Sequence, residues 1–302
     1  MPTATNLKPL ELHHLSHSQH TSYLRCPHAY FLERVAHVPA LPAWWFIGGS
    51  CVHNVTETWE RLVLDGANVN IEFNVEEITW TVLDELVDEE MRKKGVPQDQ
   101  WFAAGRWPAK NGYDWWKANA PGMVQRYIDW RTATKWEIAY FNGIPGIECE
   151  LNVNFEFGQF TGAPDRVFRL PSGQLVVGDV KSGSTLPKDG LQLGTYSNAL
   201  EMLGFERPAY GTYIMVKADP KPGEDVHTPL IPLDKYRTPY LEQVYGATKS
   251  CIELGAFAPN PGDACRTCVV QKGCYAAGGE RSAEFDPLNP RYVEEYLSAG
   301  GN

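Results

Sequence analysis

Two groups of side chains in this sequence are spaced for chemistry, one of carboxylates with a lysine and one of thiols. The run Gln174-Leu175-Val176-Val177-Gly178-Asp179-Val180-Lys181 is apolar until it ends on an acid and a lysine two residues apart. On an extended strand those two side chains share a face. Burying a carboxylate and an ammonium at a strand end is costly unless they pair or act. Upstream, Gly162-Ala163-Pro164-Asp165 places a second carboxylate just before the preceding strand. Two carboxylates converging with a lysine suit hydrolysis of a phosphodiester with a hard divalent cation. The acids hold the metal, the metal acidifies a water and neutralises developing charge, and the lysine positions that water. The plainer alternative for Asp179 and Lys181 is a salt bridge at a sheet edge.

The thiols form the second group. Of Cys26, Cys51, Cys149, Cys251, Cys265, Cys268 and Cys274, the last three fall in one short C-x2-C-x5-C run. An odd number of cysteines without a signal peptide reads poorly as a disulfide framework. Thiolates from one tight loop can converge on zinc or on an iron–sulfur cluster. Zinc sites usually show two paired knuckles, and this run has only three cysteines. Cys51, Cys149 and Cys251 lie outside the pattern and read as buried small apolar residues.

Around these groups the pattern predicts an α/β protein. Ser16-His17-Ser18-Gln19 resembles a capping box opening a helix to about Arg25, with a break at Cys26-Pro27 and a continuation to about Val35. Gly48-Gly49 precedes a second helix, from Ser50 to about Leu64. Residues 65–146 read as a helical, tryptophan-rich insertion. Its Trp80, Trp101, Trp107, Trp115, Trp116, Trp130 and Trp136 fit an aromatic core, the sharper alternative being base stacking beside Arg92, Lys93, Lys94, Arg106 or Lys110. Strands are expected over 148–157, 166–170, 174–181, 209–217 and 226–231, and helices over 191–203 and 240–254. The expected blocks are thus 1–64, N-terminal helices; 65–146, insertion; 147–260, core; 261–280, cysteine loop; and 281–302, tail.

Composition narrows the classes. The 302 residues are 43% hydrophobic and 21% charged, an ordinary globular balance. No apolar run reaches the roughly 18 residues of a membrane span, and the N-terminus lacks a signal pattern. A cytoplasmic location with no membrane partner is the expectation. The net charge of -10 argues mildly against a nucleic-acid partner, yet metal-binding acids themselves push the count negative and only a local basic channel is needed.

Taken in order, Gly49-Ser50-Cys51-Val52-His53, Gly162-x-x-Asp165, Asp179-Val180-Lys181 and Gln192-x-x-x-Tyr196 resemble the PD-(D/E)xK nuclease superfamily, in its RecB-like branch. The resemblance implies a restriction-endonuclease-like core, a mixed central sheet flanked by helices. It implies His53, Asp165, Asp179 and the Val180 carbonyl as ligands of Mg2+ or Mn2+, and Lys181 as the catalytic lysine. Gln192 and Tyr196, four apart on one helix face, would line the site. Glu150, with Glu148 second, is the candidate for a further acid on the strand before Gly162. The stretch Tyr23-Leu24-Arg25-Cys26-Pro27-His28-Ala29-Tyr30 resembles the N-terminal helix of branch members that carry a cluster, the CRISPR-associated exonucleases and AddB nuclease domains. That implies Cys26, Cys265, Cys268 and Cys274 as ligands of a structural [4Fe-4S] cluster. The expected activity is exonuclease action on single-stranded DNA ends; an endonuclease and a non-catalytic DNA-binding subunit are the rivals. No G-x-x-x-x-G-K-[ST] phosphate loop is present, so unwinding would fall to a partner such as a helicase, with a recombinase or a CRISPR adaptation protein as other expected partners.

Overall fold

The computed structural model describes residues 11–69, 73–104 and 111–284. The expected contacts through Arg106, Trp107 and Lys110, and most of the expected tail, lie outside these residues. In chain order the strands are β1 (His14–Leu15), β2 (Glu137–Ile138), β3 (Tyr140–Phe141), β4 (Ile144–Pro145), β5 (Leu151–Phe155), β6 (Gly158–Gly162), β7 (Arg166–Arg169), β8 (Leu175–Lys181), β9 (Tyr210–Met215) and β10 (Ile231–Pro232). The α-helices are α1 (His17–Arg25), α2 (Pro27–Tyr30), α3 (Trp44–Leu64), α4 (Val75–Lys94), α5 (Tyr113–Ala133), α6 (Leu191–Met202) and α7 (Thr238–Glu253). The chain forms two compact units. Among the described residues one gathers 11–42, 154–160 and 241–284, and the other 43–153 and 161–240.

The larger unit is built on a five-stranded mixed sheet in the order β10-β9-β8-β7-β2. β8 and β9 are parallel and the other neighbours antiparallel. A parallel pair needs a crossover, and α6 supplies it between β8 and β9. β8 is buried along nearly its whole length, as a strand covered on both faces must be. Gly178 is required within it, because a Cβ there would lie 2.7 Å from the Phe168 ring. Val180, Ile214 and Phe168 pack into one core with Trp44, Val52 and Trp59 of α3, Leu83 of α4, and Trp116, Tyr127 and Trp130 of α5.

The tryptophans are therefore mostly core. Trp101, Trp116 and Trp130 are buried, and the indoles of Trp80 and Trp101 donate to the carbonyls of Lys117 (2.9 Å) and Val96 (2.8 Å), as buried indoles require. The helical texture of the insertion ends at Ala133. Residues 137–145 are strands, with β2 at the edge of the main sheet and β3–β4 a hairpin. The signal was legible: Asn142-Gly143 takes φ of 51° and 82°, the two-residue turn that hairpins favour. Residues 226–231 form no continuous strand either, only a bridge from His227 to Ile214 and the short β10.

In the smaller unit β1 pairs in parallel with β6, His14 opposite Gln159 and Leu15 opposite Phe160. Ser16 caps α1 by accepting the Gln19 N–H at 3.2 Å. The other half of the expected capping box is not made; Gln19 turns its amide to His14 instead. Cys26 ends α1 and caps α2, with Pro27 in the first turn of α2 where its missing N–H is harmless. Residues Phe31–Val35 continue as a π-turn. Among the described residues no helix is long and apolar enough to cross a membrane.

Candidate active site

α3 begins at Trp44 and runs straight through Gly48 and Gly49, where the sequence suggested a start after them. The reason is Trp116 of α5. A Cβ at Gly48 would sit 2.0 Å from its indole ring, so glycine here admits a neighbouring helix and does not mark a helix end. One turn after Gly49 the helix presents His53.

The opposing wall comes from the turn before β5. Ile147 bridges to Arg166. The next residue, Glu148, adopts φ of 46°, a left-handed conformation costing a side-chain-bearing residue roughly 1–2 kcal/mol. Its N–H donates to the Asp165 carbonyl at 3.2 Å. One ligand atom each from His53, Glu148 and Asp165 all lie within 4.8 Å of one another, with His53 Nδ1 3.3 Å from Asp165 Oδ2. That oxygen also accepts the Val180 N–H at 2.6 Å, which ties the Asp165 carboxylate to the end of β8. Glu150, the first choice from sequence, is exposed and outside the triad; Glu148 takes the place. Strand alternation starts only at Leu151, so Glu148 is aimed by its backbone turn and not by the pleat.

Asp179 stands apart from the triad and is buried, 2% exposed. Lys181 Nζ lies 2.6 Å from its Oδ2, an ion pair beyond which this buried oxygen has no hydrogen-bond partner. Burial first, and the charge of Asp165 second, push the Asp179 carboxyl up to about 7 despite Lys181. Burial and Asp165 likewise push Glu148 up to about 7, against the pull of Arg166. On α6, Gln192 donates to the Tyr196 hydroxyl at 3.3 Å. The Tyr196 phenol is held strongly protonated by burial, and the charges of Asp179, Asp165 and Glu148 act on it in the same direction. The sequence did not point to Tyr213, whose ring centre lies 5.8 Å from Lys181 Nζ.

A divalent cation fits this set. The donors are imidazole and carboxylate, and burial and then the charge of Asp165 raise Glu148 and Asp179 despite Arg166 and Lys181. The buried Asp179 Oδ2 has Lys181 as its one neighbour of opposite charge among the described residues and no hydrogen-bond partner beyond it.

Behind the acids lies a second group of charges that sequence gave no sign of. Arg166 is 1% exposed. It donates through Nη1 to the Asp165 carbonyl (2.5 Å), through Nε to the Tyr127 hydroxyl (3.1 Å) and through Nη2 to Thr56 (3.4 Å). Tyr127 in turn donates to the buried Glu60 at 2.6 Å, which also accepts from Arg131.

In the smaller unit, Cys26, Cys265, Cys268 and Cys274 all line one cavity of about 30 Å3, with Ala29, Leu32, Ala264 and Ala277 among its walls. Cys26 Sγ accepts N–H groups from Ala29 and Asn260, and Cys265 Sγ accepts that of Gly262, each at 3.4 Å. Short 3-10 turns at Asp263–Thr267, Gln271–Gly273 and Tyr275–Ala277 space the three C-terminal thiols. All seven cysteines are free. Cys51 is buried as expected, whereas Cys149 and Cys251 are only half-buried.

A mixed sheet whose middle strand ends on an acid and a lysine, beside a histidine and two more acids, is the arrangement of a restriction-endonuclease-like nuclease. Residues 14–275 match the PD-(D/E)XK nuclease superfamily, and the chain belongs to it. It is 27% identical over 291 residues to the Gene 69 protein of Mycobacterium phage L5. It is 28% identical over 267 residues to the Gene 69 protein of Mycobacterium phage D29. Each match covers 85% of this chain and 94% of the relative. Membership carries the coarse reading of a nuclease that uses divalent metal and acts on DNA.

Proposed function

We propose that the protein is a Mg2+- or Mn2+-dependent exonuclease acting on single-stranded DNA ends, stapled by a structural [4Fe-4S] cluster. The observation that carries the catalytic part is the convergence of His53, Glu148 and Asp165 beside the buried Asp179–Lys181 pair. In this reading His53, Glu148, Asp165 and Asp179 hold the cation, with the Val180 carbonyl as a further ligand. The bound ion supplies charge neutralisation at the scissile phosphate and acidifies a water. Lys181, oriented by Asp179, places its ammonium beside that water. Gln192 and Tyr196 position the strand or the lysine. The Val180 N–H, donating to Asp165 Oδ2 at 2.6 Å, orients that carboxylate.

For the cluster, the support is that Cys26, remote in sequence, lines one small cavity with alanine walls together with the three clustered C-terminal thiols, and that backbone N–H groups point at two of the sulfurs. Such donors stabilise thiolates and tune the cluster they hold. A centre joining Cys26 to Cys265 would close most of the chain into one loop and act as a staple. Because the similar proteins come from phages, a recombination setting with a helicase or recombinase partner is favoured over CRISPR adaptation.

The test is digestion of end-labelled linear and of circular single-stranded DNA in Mn2+, comparing anaerobically purified wild type with Asp179→Ala. Loss of linear DNA alone, abolished in the variant, is expected. Cutting of the circle would make the protein an endonuclease. No digestion by folded protein would leave a DNA-binding subunit. For the cluster, a visible absorbance band with about four irons per chain is expected, reduced in Cys268→Ala together with thermal stability; stoichiometric zinc in its place would overturn it.

A further inference from the structure

The cleft in front of the triad encloses about 650 Å3 and has two unlike walls. One is acidic, with Glu148, Glu150 and Asp165, and Glu57 of α3 adds a further acid to the lining. The other is aromatic, with Trp45 and Phe46. Among the described residues neither a lysine nor an arginine lines it, and the Arg61 beside it is taken up by Glu57 at 2.8 Å.

The aromatic wall belongs to the helix that carries His53. Phe46, Ser50, His53 and Glu57 follow at spacings of four, three and four, so they form one stripe along α3. Phe46 is 57% exposed, whereas Trp44 and Ile47 beside it are buried in the core. Its backing is firm. The half-buried Trp45 ring lies 5.7 Å from Phe46 on one side and 6.3 Å from Phe102 on the other. The lip of the metal site is thus an aromatic face held open to solvent, about two helical turns from His53.

This pairing of walls restricts what can bind. A polyanion entering a cleft whose lining is net acidic is repelled, so its phosphate is held there chiefly through the metal. Additional affinity has to come from groups indifferent to charge. Stacking of a base on an aromatic ring is such a term, and it requires a base free of its partner strand. We propose that Phe46, propped by Trp45, is a stacking subsite for an unpaired nucleobase adjoining the phosphate held at His53, Glu148 and Asp165, and that this subsite makes the cleft prefer single-stranded DNA. The inference rests on the nuclease reading above and adds the residue that sets its substrate class.

The experiment uses oligodeoxythymidylates carrying 2-aminopurine near the end, bound to the full-length protein with Ca2+, alongside cleavage kinetics in Mn2+. Wild type should quench the fluorophore. Phe46→Ala should lose the quench and bind about tenfold more weakly, within the range for one stacked base. Its KM should rise by about the same factor with kcat nearly unchanged. Phe46→Trp should restore both, and an abasic residue in place of 2-aminopurine should erase the difference between Phe46→Ala and wild type. Phe46 is exposed, so unchanged melting of the alanine variant is expected and separates loss of the subsite from loss of the fold. Equal binding and quenching by wild type and Phe46→Ala would overturn the proposal, as would failure of wild type to bind the oligonucleotide at all. A wild type that binds and quenches but never cleaves would instead overturn the nuclease reading and leave the subsite standing.

Discussion

Two groups of buried charge lie close together in the larger unit and have opposite characters. In the Glu60–Tyr127–Arg166–Arg131 group every charge has a partner of opposite sign or a hydrogen bond aimed at it. In the His53–Glu148–Asp165–Asp179 group acids face acids, and among the described residues the cations beside them are Lys181, 2.6 Å from Asp179, and Arg166, at 3.9 Å from Glu148 and already engaged in the first group. The first is a solved electrostatic problem. The second is left unsolved by the chain itself, as a site that waits for an external cation must be. The contrast predicts that changes in the first group cost stability and changes in the second cost activity.

The largest effect expected is on turnover. Asp179→Asn and Lys181→Ala should each lower cleavage at least about a thousandfold, roughly 4 kcal/mol in the barrier. Asp179→Asn should raise the metal-free melting temperature by removing a buried charge, whereas Lys181→Ala should lower it by leaving Asp179 without its cation. Calorimetry without metal checks this; a destabilised Asp179→Asn would place Asp179 in the structural group.

Glu60→Ala breaks the contrast from the other side. It leaves Arg131 buried without its carboxylate and the Tyr127 hydroxyl without its acceptor. A loss of about 3 kcal/mol is expected, read from the urea midpoint at constant slope. The fraction that stays folded should cleave DNA at the wild-type rate. A stable variant with impaired cleavage would move Glu60 into the catalytic machinery.

How far the sequence reached follows the same division. Asp179 and Lys181 could be singled out because strand periodicity puts both on one face; His53, Asp165, Gln192 and Tyr196 were singled out only through the resemblance of their motifs to a nuclease family. Glu148 was ranked below Glu150 because its orientation depends on a single left-handed backbone angle, which no periodic pattern encodes. The cysteine run was legible as a run, but only the folded chain puts Cys26 on the same cavity wall. Gly48 read as a helix boundary because glycine usually disfavours helices; its role against Trp116 depends on a residue far along the chain. Arg166 and Glu60 were not visible at all, since nothing in their neighbourhoods names Tyr127 or Arg131 as partners. Local periodicity reveals what the chain presents, and long-range pairing reveals what supports it.

A finer comparison sets Glu148 against Glu150, two acids on the same cleft wall. Glu148→Gln should weaken Mn2+ binding about tenfold, a loss of about 1.4 kcal/mol, measured by isothermal titration at constant pH. Glu150→Gln should change it little, because that carboxyl is solvated and outside the triad. Equal effects from both would mean that the wall acts through diffuse charge and not through coordination.

The smallest effect tests the unsolved electrostatics directly. Glu148 and Asp179 have carboxyls raised from the ordinary range near 4 to about 7. Between those values the folded chain keeps protons that the unfolded chain has released. By linkage, their contribution is therefore most favourable below about pH 4, falls as pH rises, and is fully lost above about pH 7. This is opposite in sign to a salt-bridged acid. A divalent cation replaces those protons, so it should raise the melting temperature more at pH 8 than at pH 5, by about 3 °C or more for a chain of this size. The double variant Glu148→Gln/Asp179→Asn should abolish most of that pH-dependent difference. A metal-induced shift that is the same at both pH values would show that the acids are already ionised in the metal-free protein, and the distinction between the two charge groups would then fail.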